Sequence, residues 1–345
     1  YFGRIDKKGN LLVQTVLVSE NLYDLNKIII LPDQNINVYG SIKNDKNIYS
    51  SYINTVNAAG KSKNLEAKFS VYSANLNDVT YYEETKILMA ETKSGKNDLL
   101  NISLTLIDLN TNQQVWNKKI NSENNEEADQ VYITKGKNII LLGKKYSDDF
   151  SKYVPIIYKL SPSGEQLWKK VLSVPGNFFN QNLTTDETGN LYYICGYSRE
   201  STGTCETRLY TFTPENESIN NMVFQEISAN GILGLKNGNF LIYGSNVVVH
   251  ESNVITKSKF MIFDKNLEIV AEKQMSVNDY PDNVLLKTNE KSIPSSSDFN
   301  TAIQLSDGRI ICAGRVYMPA AKAKNDADRQ NNAFIVIMNS DGTIN

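Results

Sequence analysis

Short apolar runs of strand length alternate with tight polar turns along the whole chain. Seven turns rich in Asn, Asp, Ser, Pro and Gly each follow an apolar strand; they lie at 6–9, 57–60, 110–112, 161–164, 213–216, 264–266 and 339–342. The first six keep a spacing of 50 to 52 residues, and only the step from Asn266 to Gly342 is longer, at 76. A repeat of this length built from short strands is typical of a β-propeller.

A second pattern supports the same period. Before most of these turns lies an inner hairpin, in which a strand and a tight turn lead into a second strand that ends in glycine, as in 131–143 and 235–244. The copy at 87–90 is degenerate. The hairpin turns carry Asn, Asp and Gly, which tolerate the positive φ that tight turns demand. Four strands per repeat, lettered A to D from the inner strand outward, therefore predict an all-β propeller of four-stranded blades. Hairpins of a β-sandwich are the alternative, but sandwiches lack this repeat.

The number of blades depends on how the first and last units are combined. The sequence holds seven C–D units but six A–B hairpins. We expect seven blades, with the missing inner hairpin upstream of Tyr1. Six blades remain the alternative, and a blade shared by strands 334–338 and 11–17 would support it. We predict one propeller domain over residues 1–345, and because residue 1 already lies in a predicted strand we expect the sequence to be trimmed at both ends.

Composition and charge narrow the function classes. Hydrophobic residues make up 41% of the 345 residues, which suffices for a large core, and no apolar run approaches the ~20 residues of a membrane-spanning helix. The net charge is −2 and the basic residues are dispersed, so the chain lacks the electrostatic footprint of a nucleic-acid-binding protein.

The three cysteines allow two interpretations. Cys195 and Cys312 lie beside the glycine that ends an inner strand, and we expect both to be small buried hydrophobic residues. Cys205 lies on the strand that should return beside Cys195. A cross-strand disulfide between them is geometrically possible, although a buried thiol at Cys195 is the preferred interpretation.

The sequence offers little catalytic chemistry. His250 is the only histidine, and no nucleophile motif accompanies it. Histidine and cysteine spacings typical of metal sites are missing from the sequence. Oxygen ligands for calcium are conceivable at 148–149 and 325–328, but loop carboxylates are usually solvated. Carboxylate pairs for glycoside hydrolysis cannot be assigned from spacing, because propeller enzymes assemble them from different blades. We therefore expect no catalytic residues, no cofactor and no metal.

Two repeats resemble a known family. The segments 106–116 and 158–168 each run from an apolar strand through a turn to a tryptophan, and Trp116 and Trp168 are 52 residues apart. These segments are similar to the strand–turn–Trp unit of PQQ-like propeller repeats. Such repeats occur in quinoprotein dehydrogenases, in the outer-membrane assembly lipoprotein of the Bam machinery and in surface lipoproteins of Bacteroidota. The chain lacks the vicinal cysteines and the calcium-binding set of the quinoproteins. The resemblance therefore implies the lipoprotein side of the family, whose propellers bind other proteins.

Strand order predicts where binding would occur. In a blade with strands A to D, the A–B and C–D turns lie at one end and the B–C and D–A connections at the other. The longer connections are the latter kind, at 144–154, 197–204, 245–257, 280–298 and 317–332. Loops on a rigid scaffold tend to carry recognition residues. Tyr and Arg are enriched at interface hot spots, and the candidate contact residues, all aromatic or arginine, are Tyr146, Phe150, Arg199, Tyr280 and Tyr317.

These observations favour a non-enzymatic protein-interaction or scaffold propeller. We expect a lipoprotein subunit of a bacterial outer-membrane or cell-surface assembly, with protein partners, no nucleic acid, and membrane contact only through a lipid anchor outside the given sequence. The alternative is a carbohydrate-binding or carbohydrate-active propeller with a central carboxylate pocket. The inner-strand glycines Gly143, Gly196, Gly244 and Gly314 are predicted to lie where a β-carbon would clash, so that Gly196→Val would be strongly destabilising.

Overall fold

The computed structural model describes most of the chain, in residues 2–5, 11–15, 22–30, 35–43, 49–57, 62–63, 74–94, 99–111, 113–120, 125–173, 178–198, 205–215, 218–225, 227–250, 253–275, 296–318 and 330–344. These residues form β-strands joined by turns. They divide into two compact units, Tyr1–Leu172 and Ser173–Asn345. The prediction of one domain over 1–345 stays a prediction.

The first unit contains a two-stranded ribbon and three sheets of four strands. The ribbon is β1 (Phe2–Ile5) with β2 (Leu11–Thr15). The first blade is β3 (Leu22–Ile30), β4 (Ile36–Lys43), β5 (Tyr49–Val56) and β6 (Ser62–Lys63). The second is β7 (Ala74–Glu83), β8 (Lys86–Ser94), β9 (Leu100–Asp108) and β10 (Gln113–Ile120). The third is β11 (Glu126–Ile133), β12 (Ile139–Tyr146), β13 (Tyr153–Leu160) and β14 (Gln166–Val171).

The second unit contains two sheets of four strands and one of three. The fourth blade is β15 (Phe178–Thr185), β16 (Leu191–Ser198), β17 (Cys205–Phe212) and β18 (Ser218–Phe224). The fifth is β19 (Ser228–Gly234), β20 (Phe240–His250), β21 (Asn253–Phe263) and β22 (Ile269–Gln274). The sixth is β23 (Ser296–Gln304), β24 (Ile310–Met318) and β25 (Gln330–Met338). An isolated bridge from Met338 to Ile344 follows its last turn.

The strand order confirms an all-β propeller of four-stranded blades. Five blades have four strands that pair antiparallel in chain order from A to D, and the sixth has three strands among the described residues. The described residues form six blades, so the expectation of seven was wrong and the alternative of six is correct. The polar turn unit at 6–9 misled the count, because the strands on either side of it, β1 and β2, form a separate two-stranded ribbon among the described residues. Strands β2 and β25 are members of different sheets.

Every inner strand carries a β-bulge that sequence reasoning did not anticipate. The pairing of each A strand with its B strand skips a residue. The residues skipped at this shared irregularity are Asn26, Asn77, Asp129, Phe179, Asn230 and Asn300, and the pairings of β3 and β7 skip a second residue each, Tyr23 and Tyr82. Five of the six at the shared irregularity are Asn or Asp. Bulges turn a side chain out of the regular alternation and are common next to functional sites.

Apolar cores lie between successive blades of a unit. One core combines Leu88 and Leu104 of the second blade with Leu141 and Tyr158 of the third. In the second unit, the aromatic rings of Phe260, Phe299 and Phe334 join the fifth and sixth blades. The strands are apolar on both faces because each central strand is covered on both sides, which explains the continuous apolar runs in the sequence.

Crowding is confirmed for Gly143, Gly244 and Gly314, while the predicted effect of Gly196→Val stays a prediction. A β-carbon on Gly143 would lie 2.4 Å from the carbonyl oxygen of Glu127, and the corresponding distances at Gly244 and Gly314 are 2.1 and 2.0 Å. The obstacle is therefore the backbone of the neighbouring A strand just before its bulge. Gly196 pairs with Asn180, on the other side of its bulge, so it does not share this register.

The tryptophan of the repeat supports the turn of the next blade. A β-carbon on Gly164, whose φ is +81°, would lie 3.0 Å from Cγ of Lys118 and 3.4 Å from Cη2 of Trp116. Lys118 also forms an ion pair of 2.5 Å with Glu165 in the same turn. The outer strand of the second blade thus packs against the C–D turn of the third.

Two of the predicted long connections are shorter than expected. The segment 245–257 is mostly strand, because β20 and β21 stay paired out to His250 and Asn253. The β-branched residues Val247–Val249 favour this extension. The connection at 144–154 contracts to residues 147–152, since Tyr146 and Tyr153 still pair across the hairpin.

The structure confirms the interpretation of Cys195 and Cys312 as small buried residues with free thiols. Cys195 and Cys312 are free and buried, and burial raises the pKa of each thiol to about 12. Cys195 pairs with Arg208, whereas Cys205 pairs with Ser198. The cross-strand disulfide is therefore not formed.

Candidate interaction site

The predicted contact residues fall in different parts of the fold. Tyr146 ends β12, and Phe150 lies in the connection that follows it. Tyr317 lies in β24, where its backbone pairs with Ser296 and Asn331, but its side chain is outside the described residues. Arg199 and Tyr280 are also outside them. The structure therefore brings together two of the five residues, on the B–C connection of the third blade.

Three aromatic rings meet in this connection, residues 146–153, which we call the aromatic loop. The ring of Tyr146 lies 5.5 Å from the ring of Phe150 and 5.5 Å from that of Tyr153, measured between centroids. Tyr146 and Tyr153 are direct cross-strand partners, the arrangement in which aromatic side chains stabilise a hairpin. The rings form a row with Tyr146 at its centre.

Hydrogen bonds fix the conformation of the aromatic loop. The amide of Phe150 donates to the carbonyl of Ser147 at 2.9 Å, and the amide of Ser147 donates to the carbonyl of Lys152 at 2.8 Å. The Asp149 carboxylate accepts from the hydroxyls of Ser147 and Ser151 and from the amide of Ser151. These bonds, that of Ser147 foremost, lower the pKa of Asp149 to about 2. The loop is held by its own residues and needs no ligand to acquire its shape.

Phe150 combines strain with exposure. Its φ is +56°, in the left-handed region that non-glycine residues rarely adopt. The residue is 46% exposed, so its ring gains only part of the stabilisation of a buried aromatic side chain. Lys137 and Leu267 adopt the same conformation in tight turns of the third and fifth blades, so the positive φ belongs to the turn, and Phe150 stands out as an exposed aromatic residue at such a position.

Two contacts with the third inner strand hold Tyr146. Its hydroxyl donates to Oε2 of Glu127 at 2.5 Å, and its amide donates to the carbonyl of Asn125 at 2.8 Å. Burial, followed by the hydrogen bond to Glu127, raises the pKa of the Tyr146 phenol well above its ordinary value. The phenol therefore stays neutral and keeps Glu127 in place as an acceptor.

A buried ion pair lies on the other face of the sheet of the third blade. Glu126 is fully buried, and its carboxylate lies 2.6 Å from Nζ of Lys169. The hydroxyl of Tyr158 also donates to this carboxylate, and the Lys169 ammonium lies 4.9 Å from the centre of the Tyr158 ring. Each member of this cluster is paired with the others, so the cluster stabilises the sheet of the third blade that carries the aromatic loop.

Polar side chains also join the inner strands within each unit. In the first unit, Asp78 accepts from the Lys27 ammonium at 2.9 Å and from the amide of Val131 at 3.0 Å, so that one carboxylate connects three blades. In the second unit, the amide of Asn180 donates to Asn230 at 2.6 Å, and Asn230 donates to the carbonyl of Phe299 at 2.7 Å. Both bridges lie at or beside the bulges. The side chains of Asp78, Asn180 and Asn230 therefore connect neighbouring blades of one unit.

The calcium interpretation gains no support in the described part of the chain. There, no group of three or more His, Cys, Asp or Glu residues is arranged to hold a metal ion. The carboxylate of Asp149 is occupied by the serines of its own loop. The second candidate, 325–328, lies outside the described residues. The described residues also contain no helix of the length and apolarity that a membrane crossing requires.

Sequence reasoning missed the partners of the aromatic loop. Tyr153 and Glu127 complete the site, yet neither was a candidate. The signal for Tyr153 was available, since a tyrosine seven residues after Tyr146 brackets the polar segment Ser-Asp-Asp-Phe-Ser-Lys. Glu127 could not be found from sequence, because its contact with Tyr146 depends on the register of β11 against β12.

The comparisons with known proteins reach the fold alone. No family model matches the sequence, and no curated protein matches it. A protein of unknown function from Dyadobacter fermentans is 10% identical, with a TM-score of 0.53 over 91% of this chain and 94% of that one. The β-propeller domain of the Trilobed protease from Pyrococcus furiosus is 12% identical, with a TM-score of 0.48 over 94% of each chain. The endo-arabinase of Bacteroides thetaiotaomicron is 12% identical, with a TM-score of 0.41 over 69% of this chain and 93% of that one. The PQQ-like and lipoprotein character of the chain stays a prediction.

Proposed function

We propose that the protein is a non-enzymatic propeller that binds another protein through the aromatic loop of its third blade. The observation that carries this proposal is Phe150, a 46% exposed ring held at positive φ by a loop of internal hydrogen bonds. A ring that is already ordered loses little entropy on binding, and exposed aromatic residues often supply most of the energy of an interface.

The position of the loop supports the same function. It is a B–C connection, at the end of the blade where connections vary in length, and a rigid sheet with a buried ion pair lies behind it. Recognition residues on such a scaffold can vary without disturbing the core. The carbohydrate-active alternative would need carboxylates that are available to a substrate. The buried carboxylates Asp78 and Glu126 are instead each paired with a lysine.

The proposed setting is the bacterial cell envelope, with the protein as a lipoprotein subunit of an outer-membrane or cell-surface assembly. This part of the proposal rests on the similarity of 106–116 and 158–168 to repeats of envelope lipoproteins. A protein partner in that assembly would meet the loop end of the blade.

Affinity capture with matched variants tests the proposal. Wild-type protein, Phe150→Ala and the control Leu167→Ala are each used to capture proteins from solubilised membranes of the cells that produce this chain. Leu167 is exposed, at 54%, but lies on an outer strand. We expect a partner that wild type and the Leu167 variant retain and the Phe150 variant loses. Equal retention by all three proteins would refute the aromatic loop as the binding site.

The carbohydrate alternative is tested with the same proteins. A glycan array is probed with wild type and with Phe150→Ala. A glycan bound by wild type and lost in the variant would replace the protein partner with a sugar, because an exposed aromatic ring can also stack against a pyranose.

A further inference from the structure

The tip of the aromatic loop is acidic as well as aromatic. Asp148 and Asp149 immediately precede Phe150, and all three are exposed. Asp149 is fixed by its serine contacts, whereas the Asp148 side chain makes no hydrogen bond or ion pair with any described residue. Lys152 is the basic residue of the loop. The exposed ring is therefore flanked by a fixed carboxylate and a carboxylate that is available to a ligand.

More negative charge lies behind the rings. Glu127 contacts the hydroxyl of Tyr146, and the charge of Asp129 on the same strand is felt at that phenol. Lys144 is the cross-strand partner of Glu127 and partly offsets these charges. The aromatic loop itself carries two carboxylates, from Asp148 and Asp149, and one ammonium group, from Lys152. The Lys169 ammonium belongs to the other face, where it neutralises Glu126.

We propose that the aromatic loop receives an arginine side chain from a basic segment of the partner, with the guanidinium over the Phe150 ring and ion-paired to Asp148. This inference rests on the proposed function and specifies the chemistry of the partner. The face of an aromatic ring attracts a cation, and adjacent carboxylates add to that attraction. A planar guanidinium can stack on the ring and donate to a carboxylate at the same time, which a lysine ammonium does less well.

The same charges disfavour other classes of ligand. Phosphate groups of nucleic acids or of anionic lipids would meet Asp148 and Asp149 at the tip of the loop, where like charges repel. A basic protein segment is attracted by the same field, and its rate of association rises when salt is low.

A defined peptide tests the proposal without knowledge of the natural partner. The probe is a rhodamine-labelled peptide of four Arg-Gly repeats, measured by fluorescence anisotropy against the whole chain at 20 and 300 mM salt. Two further probes replace arginine by lysine or by the neutral isostere citrulline. The protein variants are Asp148→Asn, Phe150→Leu and the control Glu187→Gln. Glu187 is an exposed carboxylate on an A–B turn of the fourth blade. Leucine at position 150 keeps an apolar side chain on the same backbone and removes only the aromatic face.

We expect the arginine probe to bind more tightly than the lysine probe and the citrulline probe not to bind. Each loop variant should bind the arginine probe about two- to five-fold more weakly, the range of an exposed cation–π contact or ion pair. The control should bind like wild type, and Asp148→Asn should show a smaller loss of affinity between low and high salt.

Two results would overturn the inference. The first is that the arginine and citrulline probes bind with equal affinity. The second is that Glu187→Gln and Asp148→Asn lose the same amount of affinity for the arginine probe, which would indicate a general electrostatic attraction to the chain. Either result would leave the proposed function standing, provided that capture of a protein partner still depends on Phe150. Loss of that dependence would instead remove the proposed function itself.

Discussion

At the scale of single residues, Phe150 shows how strain and exposure occur together. Its ring contacts Tyr146, yet almost half of the residue is exposed and its φ of +56° is unfavourable. A left-handed conformation costs a non-glycine residue about 1 to 2 kcal/mol, and asparagine tolerates it better than phenylalanine does.

Phe150→Asn separates binding from folding. The lost ring contact and the relieved backbone strain oppose each other, so we expect the free energy of unfolding to change by less than about 1 kcal/mol. Partner capture should be lost. Urea denaturation measures the first quantity, and a loss of stability of several kcal/mol would mean that Phe150 is mainly structural.

The crowding at the glycines predicts that Gly244→Ala lowers the stability of the protein strongly and Gly136→Ala only weakly. Gly244→Ala places a β-carbon 2.1 Å from the Ser228 carbonyl oxygen, so the inner pair must shift. We expect a loss of about 1 to 3 kcal/mol, as in an overpacked core. The control is Gly136→Ala, where the nearest atom lies 3.9 Å from the added carbon. Equal unfolding midpoints for the two variants would contradict this reading of the inner strand.

Acid should loosen the aromatic loop. The pKa of Asp149 is lowered from 3.8 to about 2, so its ionised form favours the closed loop. The stabilisation of the loop by the ionised Asp149 carboxylate is fully present above pH 4 and is lost as the pH falls through 2. At pH 6, hydrogen exchange at the amides of Phe150 and Lys152 should be faster in Asp149→Asn than in wild type. The difference should shrink as the pH falls towards 2, where about half of the Asp149 carboxyl is protonated, and a difference as large at pH 2 as at pH 6 would show that the carboxylate charge is not the cause.

At the scale of elements, the sequence predicts strands and turns better than it predicts sites. The polar turns mark the A–B and C–D connections because Asn, Asp and Gly are needed there for local reasons. The bulges of the inner strands fall mostly on Asn or Asp, but these residues are common along the whole chain, so the bulges become visible only from the pairing of two strands. The site follows the same rule, as Tyr146 and Phe150 are visible as loop aromatics while Glu127 is placed by strand register.

At this scale we also predict how much the hydrogen bonds of Asn230, which join the inner strands of the second unit, contribute to stability. Asn230→Ala removes a hydrogen bond to Asn180 and another to the carbonyl of Phe299. We expect a loss of about 1 to 3 kcal/mol, because partly buried polar groups are left without partners. Asn221→Ala, at an exposed position on β18, is the matched control. Similar denaturation curves for both variants would show that the bridge contributes little to the stability of the second unit.

At the scale of the whole molecule, periodicity determines the fold class and leaves the number of blades open. The turn unit at 6–9 belongs to a ribbon, β1 with β2, and only strand pairing reveals that it adds no blade. Function is not encoded by the repeat, because the repeat serves the packing of one blade on the next. The site departs from the repeat, in a connection where the blades differ.

The central claim is that the aromatic loop of the third blade binds a protein, and site-specific photo-crosslinking tests it most directly. Benzoyl-phenylalanine is placed at position 150 and, as a control, at Val223, which is equally exposed at 45% but lies on an outer strand. Irradiation in intact cells should give one discrete protein adduct at position 150 that is missing at position 223. Mass spectrometry should place the adduct within a basic segment of the partner. The same adducts at both positions, or none at position 150, would contradict the account.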